Sequence, residues 1–263
     1  MRYQIAVSAV LVMTPQLIHA QGRGGPPPPP QPAKIAAPID LTGYWVSQIV
    51  DEWRFRVTPQ KGDIAYLPIN AEARRIANAW DPAKDEADGQ QCKAYGAVGV
   101  MQRPGRLHIT WDDDNTLRIE ADSGTQTRIV HFGAAPASQQ TAAPSWQGYS
   151  TGQWQIARGS AIDLGGVGFA PGGGGVPGRA GLLKVVTTNM LPGYIRKNGV
   201  PYSDKAVLTE YFNRLTGADG QVYFVVTAVL DDPTYLNQPF VRSYQFKKQA
   251  DGAGWEPTAC LNR

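Results

Sequence analysis

The sequence is poor in the residues that carry most metal chemistry, with two cysteines and three histidines among 263 residues. The cysteines are not spaced as Cys-x-x-Cys, and His108 and His131 are separated by more than the short spacings of a histidine metal site. The sequence therefore predicts no metal site.

The scarcity of histidine also limits nucleophilic chemistry. The segment Gly148-Tyr149-Ser150-Thr151-Gly152 matches the nucleophile-elbow pattern of hydrolases, but no histidine follows Ser150, so the order Ser-acid-His is excluded. An order of His, Asp and Ser through His108 or His131, Asp122 and Ser150 stays open. We expect instead a glycine-flanked bend between strands.

Neither charge nor the glycine pattern indicates a nucleotide or nucleic-acid partner. The 25 Lys and Arg nearly balance the 22 Asp and Glu, for a formal net charge of +3, and they form no basic stripe. A dinucleotide-binding fingerprint that began at Gly166 would need Gly or Ala at position 171, where this chain has Pro171. A phosphate-binding loop would end in Gly-Lys-Ser or Gly-Lys-Thr, and neither follows. We therefore predict no nucleic-acid binding and no cofactor.

No apolar run is long enough for a membrane-spanning helix, which excludes a transmembrane segment. Residues 1–20 have a basic start, a short apolar run and a small residue, Ala20, at the end, which is typical of a cleaved signal peptide. Residues 21–38, rich in Pro and Gly, predict a disordered tether. We expect a periplasmic or secreted protein.

Residues 39–263 show mostly two-residue alternation of apolar and polar side chains, for example Leu107, Ile109 and Trp111 against Arg106, His108 and Thr110. Turn residues at 122–124 and 216–220 predict two hairpins, and residues 182–190, 206–215, 223–230 and 240–248 predict further strands. We predict a single all-β domain, an antiparallel barrel or strongly bent sandwich of about nine or ten strands.

One helix interrupts this pattern. Asn70 is a good N-cap, and Ala73, Ile76, Ala77 and Trp80 form a helical stripe that ends at the following Asp-Pro. We expect this helix to cap one end of the β structure. In an exported protein Cys92 and Cys260 are expected to form a disulfide, with two buried free thiols as the alternative.

The segment Asp40-Leu41-Thr42-Gly43-Tyr44-Trp45 resembles the G-x-W opening strand of lipocalin-like barrels. That resemblance implies a barrel closed at one end by Trp45. A wider set of segments is similar to an uncharacterised family of exported bacterial β-rich proteins, namely residues 81–86, 106–111, 196–203, 209–212 and 232–235. That resemblance implies a shared fold and says nothing about activity.

The abundance of Trp and Tyr favours a ligand site, because amphipathic rings often line concave pockets. We expect a cavity that binds a small, partly apolar or amphipathic molecule, lined by Trp111, His108, His131, Trp154 and Tyr211. One alternative is a hydrolase- or isomerase-type enzyme using the same cavity, with Glu210 or His108 as general base. Another is an envelope protein that docks a protein partner and takes no small ligand.

Overall fold

The computed structural model describes residues 31–57, 59–134, 142–156, 163–164, 167–168 and 181–261. The predicted signal peptide and residues 21–30 of the predicted tether lie outside this range. Within it, no helix has the length and apolar character needed to cross a bilayer.

Nine strands form a closed barrel, which confirms the all-β prediction. Their bounds are β1 Gly43–Gln48, β2 Arg106–Asp113, β3 Thr116–Ala121, β4 Gln126–Phe132, β5 Tyr149–Ile156, β6 Gly181–Thr188, β7 Val207–Thr216, β8 Val222–Asp231 and β9 Phe240–Lys248. Around the barrel the order is β1, β9, β8, β7, β6, β5, β4, β3, β2 and back to β1. Closure gives each strand a neighbour on both sides, so none of the nine is an edge strand along its whole length.

Eight of the nine neighbouring pairs are antiparallel, and β4 and β5 run parallel. A closed ring with an odd number of strands cannot alternate direction everywhere, so one parallel pair is required. The predicted hairpins β3–β4 and β7–β8 form as expected. Strand β5 was not predicted, because its Gly, Ser, Thr and Gln residues read as a bend.

Short helices and ladders lie between the barrel strands. The helices are α1 Ala33–Ala36, α2 Trp53–Arg56, α3 Ala71–Ala79, α4 Pro82–Ala87 and α5 Ala97–Val100, with a 3-10 helix at Gln91–Ala94. Two-residue strands pair Gly193–Tyr194 with Pro201–Tyr202 and Asp163–Leu164 with Val167–Gly168. The predicted helix is α3, whose first turn is capped by the Asn70 side chain accepting from the Ala73 N–H.

The connections divide the barrel into two unlike ends. Helices α2 to α5 join β1 to β2 at one end, which we call the helical end. The opposite, N-terminal end is covered by α1: the Ala33 carbonyl accepts from Trp154 Nε1, and the Ala33 N–H donates to Asn115. Residues 33–36 therefore belong to the folded domain and not to the tether, because Ala33 is buried and its backbone is hydrogen-bonded to the barrel.

Residues 249–261 form a strap along the outside of β1, β2 and β3. Trp255 packs edge-on to Tyr44 and His108, with ring centroids 6.0 and 6.1 Å apart. Farther along, the Thr258 N–H donates to the Asp122 carbonyl at 2.9 Å. The predicted disulfide between Cys92 and Cys260 then joins the strap to the helical end.

Side chains fill the barrel interior. Trp45, Phe212, Phe224 and Phe246 are fully buried, and Phe224 packs 4.7 Å from the rings of both Trp45 and Phe246. Trp45 donates through Nε1 to the Leu41 carbonyl, and the Lys248 ammonium lies 4.5 Å from its ring. Within the described chain, this packing places the open hollows at the rims of the barrel and not along its axis.

Candidate functional site

Three of the five predicted ligand residues face outward. His108 stacks on Tyr44 with centroids 4.1 Å apart, and its Nδ1 lies 3.1 Å from Glu120. His131 stacks on Tyr149 at 5.0 Å. Tyr211 lies between the inward residues Glu210 and Phe212, so strand alternation turns it to the outer face. These three residues do not line the interior.

The two predicted tryptophans do come together. Trp111 and Trp154 flank Phe132 at the N-terminal end, each 5.4 Å from it between ring centroids. The three rings are partly buried and pack against the core. Because helix α1 covers this stack, the rings serve as an end plug in this structure.

Glu210 and Ser150, named in the catalytic alternatives, lie inside the barrel in one polar network. Arg128 forms an ion pair with Glu210 and donates to Thr187 at 2.7 Å and to Ser150 at 3.2 Å. Ser150 and Thr187 are themselves hydrogen-bonded at 2.7 Å. Ser150 is therefore buried against a guanidinium, with neither the exposure nor the base that a nucleophile needs.

The helical end carries an open groove that sequence reasoning did not find. We call it the rim groove; it has a volume of about 460 Å³ and is lined by Tyr66, Leu67, Pro68, Gln238, Pro239, Phe240, Val241 and Arg242. A second hollow of about 480 Å³, lined by Asp51, Glu52, Tyr66 and Arg242, adjoins it. Both volumes lie in the size range of small-molecule pockets.

Tyr66 is the most unusual residue of the groove. Its side chain is 78% exposed, although its ring packs edge-on to Phe55 at 6.2 Å. Its backbone is left-handed, with φ of 62°, and Glu52 in the adjoining hollow has φ of 50°. Left-handed backbone is disfavoured for residues with a Cβ, and such strain is concentrated at functional sites. Two of these strained residues therefore lie at one groove.

Charge in the groove is balanced. Arg242 donates through Nε to Glu52 at 2.9 Å and through Nη2 to the Tyr66 carbonyl at 3.4 Å. The ring of Phe240 lies 4.7 Å from the Arg242 guanidinium. The groove thus offers an exposed aromatic face, an apolar wall and one fixed cation with its carboxylate.

Behind the groove the barrel closes. A hollow of about 10 Å³ lies between Phe240, Arg242, Tyr244 and the apolar side chains of β7 and β8. That volume is at most the room of one water molecule. Burial in this apolar setting raises the pKa of Tyr244. The rim groove therefore has the volume of a small-molecule pocket, and this inner hollow does not.

Metal ligation finds no support in the described ranges, which hold no cluster of three or more His, Cys, Asp or Glu side chains.

Two exposed apolar residues flank Asp51 and Glu52 of the adjoining hollow in the chain, with Trp53 66% and Val50 71% exposed. The sequence signal that could have indicated this site is Tyr66 itself, an aromatic residue followed by Leu67 and Pro68 in a loop-like segment.

Similarity to other proteins adds nothing to this geometry. Comparison of the chain with protein-family models, with curated protein sequences and with solved structures yields no match in any of the three.

Proposed function

We propose that this is an exported protein, periplasmic or secreted, that binds a small, partly apolar molecule in the rim groove. The observation that carries the proposal is Tyr66: an aromatic ring held exposed by a strained backbone at the mouth of a groove of about 460 Å³. The disulfide supports export, because such bonds persist in oxidising compartments.

The groove determines what kind of molecule it takes. An apolar or aromatic portion of a ligand would lie between the Tyr66 ring and the exposed side chains of Pro239 and Val241. Arg242 would donate hydrogen bonds to an anionic or polar group of the ligand, because Glu52 engages only its Nε. An amphipathic molecule matches both features.

The proposed ligand site lies at the rim of the barrel, whereas the alternating strands predicted a cavity in its interior. Phe212, Phe224 and Phe246 occupy that space. A ligand in the barrel centre would have to displace well-packed aromatic side chains, and this would be costly because protein interiors are close-packed. Binding at the rim requires no such rearrangement.

Fluorescence titration with 8-anilinonaphthalene-1-sulfonate, an aromatic sulfonate, tests the proposal. We expect one saturable site on the native protein. Tyr66→Asn removes the ring while keeping a residue that tolerates left-handed backbone, so the fold is preserved. We expect it to weaken binding by about tenfold, the loss equivalent to one good aromatic contact.

Tyr223→Asn is the matched control, because Tyr223 is the second residue of β8, at the opposite end of the barrel, and does not line the groove. It should leave probe affinity unchanged. Equal affinities for the wild type and Tyr66→Asn, with both variants folded by circular dichroism, would disprove the rim site.

A second candidate function is docking of a protein partner, which the exposed Val50, Trp53 and Val241 favour. Native mass spectrometry of protein isolated from its own host separates the two. A co-purifying small molecule that is lost in Tyr66→Asn supports the groove proposal, and a bound polypeptide retained in that variant supports docking.

A further inference from the structure

Arg103 is a buried cation with few partners. Its residue is 3% exposed, and its Nε donates to the Gly99 carbonyl at 3.3 Å. Its two terminal nitrogens, Nη1 and Nη2, find no acceptor among the described residues. Leaving charged donors buried and unpaired is expensive, so native proteins rarely do so without a reason.

Two more buried arginines lie beside it, and Gln102 links them. Arg56 donates through Nε to the Gln102 carbonyl at 3.2 Å, and the Gln102 side chain donates to the Ile195 carbonyl at 2.8 Å, next to Arg196. Arg56 and Arg196 are 2% and 1% exposed, and each has an Nη2 without an acceptor in the part of the chain that is described. We call these three residues, Arg56, Arg103 and Arg196, the arginine cluster.

The carboxylates nearby are committed elsewhere. Asp63 pairs with Arg54 at 2.7 Å, and Glu52 pairs with Arg242 at 2.9 Å. Among the described residues, Asp51 is the one carboxylate that forms an ion pair with the cluster, 3.5 Å from Arg56, while Glu52 and Asp63 act on Arg196 at longer range. Burial and the repulsion of Arg56 and Arg196 lower the pKa of Arg103 to about 10, so all three guanidiniums are charged at neutral pH. The cluster thus carries an excess of positive charge.

We propose that the arginine cluster is an internal site for one small anion, of the size of chloride or of a single carboxylate group. Guanidinium forks are the preferred donors to such anions. The anion must be small, because all three arginines are at most 3% exposed. This site is separate from the rim groove, because none of the three arginines lines that groove.

Thermal unfolding at constant ionic strength tests the proposal, with sodium chloride or sodium acetate replacing sodium gluconate, whose anion is too bulky to enter. A ligand bound only by the folded state raises the melting temperature in a saturable way. We expect a rise of about 5 °C at 200 mM chloride, given the scaling of melting temperature for a domain of this size. Broadening of the chloride-35 NMR line should report the same site directly.

Arg103→Met removes the central guanidinium and keeps the volume of the side chain. We expect it to abolish both the chloride-dependent rise and the line broadening, while its melting temperature in gluconate exceeds that of the wild type. The matched control is Arg118→Met, because Arg118 is exposed and paired with Asp112. It should keep both effects.

Wild-type protein that melts at the same temperature in chloride, acetate and gluconate would overturn the proposal. So would an anion response that Arg103→Met retains. Failure of the rim groove to bind the fluorescent probe would not change these outcomes, so the two proposals are tested independently.

Discussion

Two buried guanidiniums in this protein have opposite surroundings. Arg128, inside the barrel wall, meets the Glu210 carboxylate and two hydroxyl groups, from Ser150 and Thr187. Arg103, at the helical end, meets one backbone carbonyl, that of Gly99. Both residues are almost fully buried, at 2% and 3% exposure. Arg128 also has one terminal nitrogen, Nη1, without an acceptor among the described residues. What distinguishes the two buried arginines is therefore the carboxylate partner, which Arg128 has in Glu210.

The presence or absence of a carboxylate partner also bears on what each arginine does for the fold. A paired charge such as Arg128 is costly to disturb, because removing its partner strands the remaining ion in a low dielectric. An uncompensated charge such as Arg103 weakens the fold, so its presence needs another reason. Substitutions can change either Arg128 with its partners or Arg103, and the expected changes in stability differ in sign.

The largest effect is expected from breaking the Arg128–Glu210 pair. Glu210→Gln gives Arg128 the uncompensated environment of Arg103 and should lower the free energy of unfolding by about 4 kcal/mol, measured by urea denaturation. The double variant Arg128→Met with Glu210→Leu, which removes both charges, should regain most of that loss. A single variant as stable as the wild type would show that the pair is not needed.

A smaller effect of opposite sign is expected at Arg103. In gluconate, Arg103→Met should raise the free energy of unfolding by about 2 kcal/mol, because it removes a buried charge whose pKa is depressed. Urea denaturation in the same buffer measures it. Loss of stability instead would place Arg103 with Arg128 among the structural arginines.

The smallest effect is expected at Ser150. Ser150→Ala removes one hydrogen bond to Arg128 and one to Thr187 but leaves the ion pair intact, so the free energy of unfolding should fall by about 1 kcal/mol. Ser145→Ala is the control, because Ser145 is exposed and, among the described residues, its hydroxyl makes one long contact, to the Gly148 carbonyl. Equal values for the two variants would mean that Ser150 adds nothing to the network.

Most of the barrel was predictable because its strands alternate with period two and its turns carry Gly, Asp and Ser. Strands β7, β8 and β9 start and end within about two residues of the predicted bounds. Strand β5 was missed because its inward positions are filled by Ser150, Gly152 and Trp154, two of which are small or polar. Its neighbour Arg128 explains this choice, since a guanidinium needs hydroxyl acceptors more than apolar contacts.

The candidate sites were much less predictable. Alternation shows that His108 and His131 share a face, but not that this face is the outside. Tyr66 and Arg103 lie in the long β1–β2 connection, where no periodicity shows which side chains are buried. Their roles depend on contacts with Phe55, Arg56 and Gly99 that only the folded chain reveals.

The strap and the barrel seam together impose an order on assembly. Strand β1 closes the barrel by pairing with β9, and the Cys92–Cys260 bridge spans 168 residues. Neither contact is available to a partly synthesised chain, and folds dominated by such distant pairings form slowly. The barrel therefore closes, and the disulfide forms, only after the last strand and the strap have been synthesised.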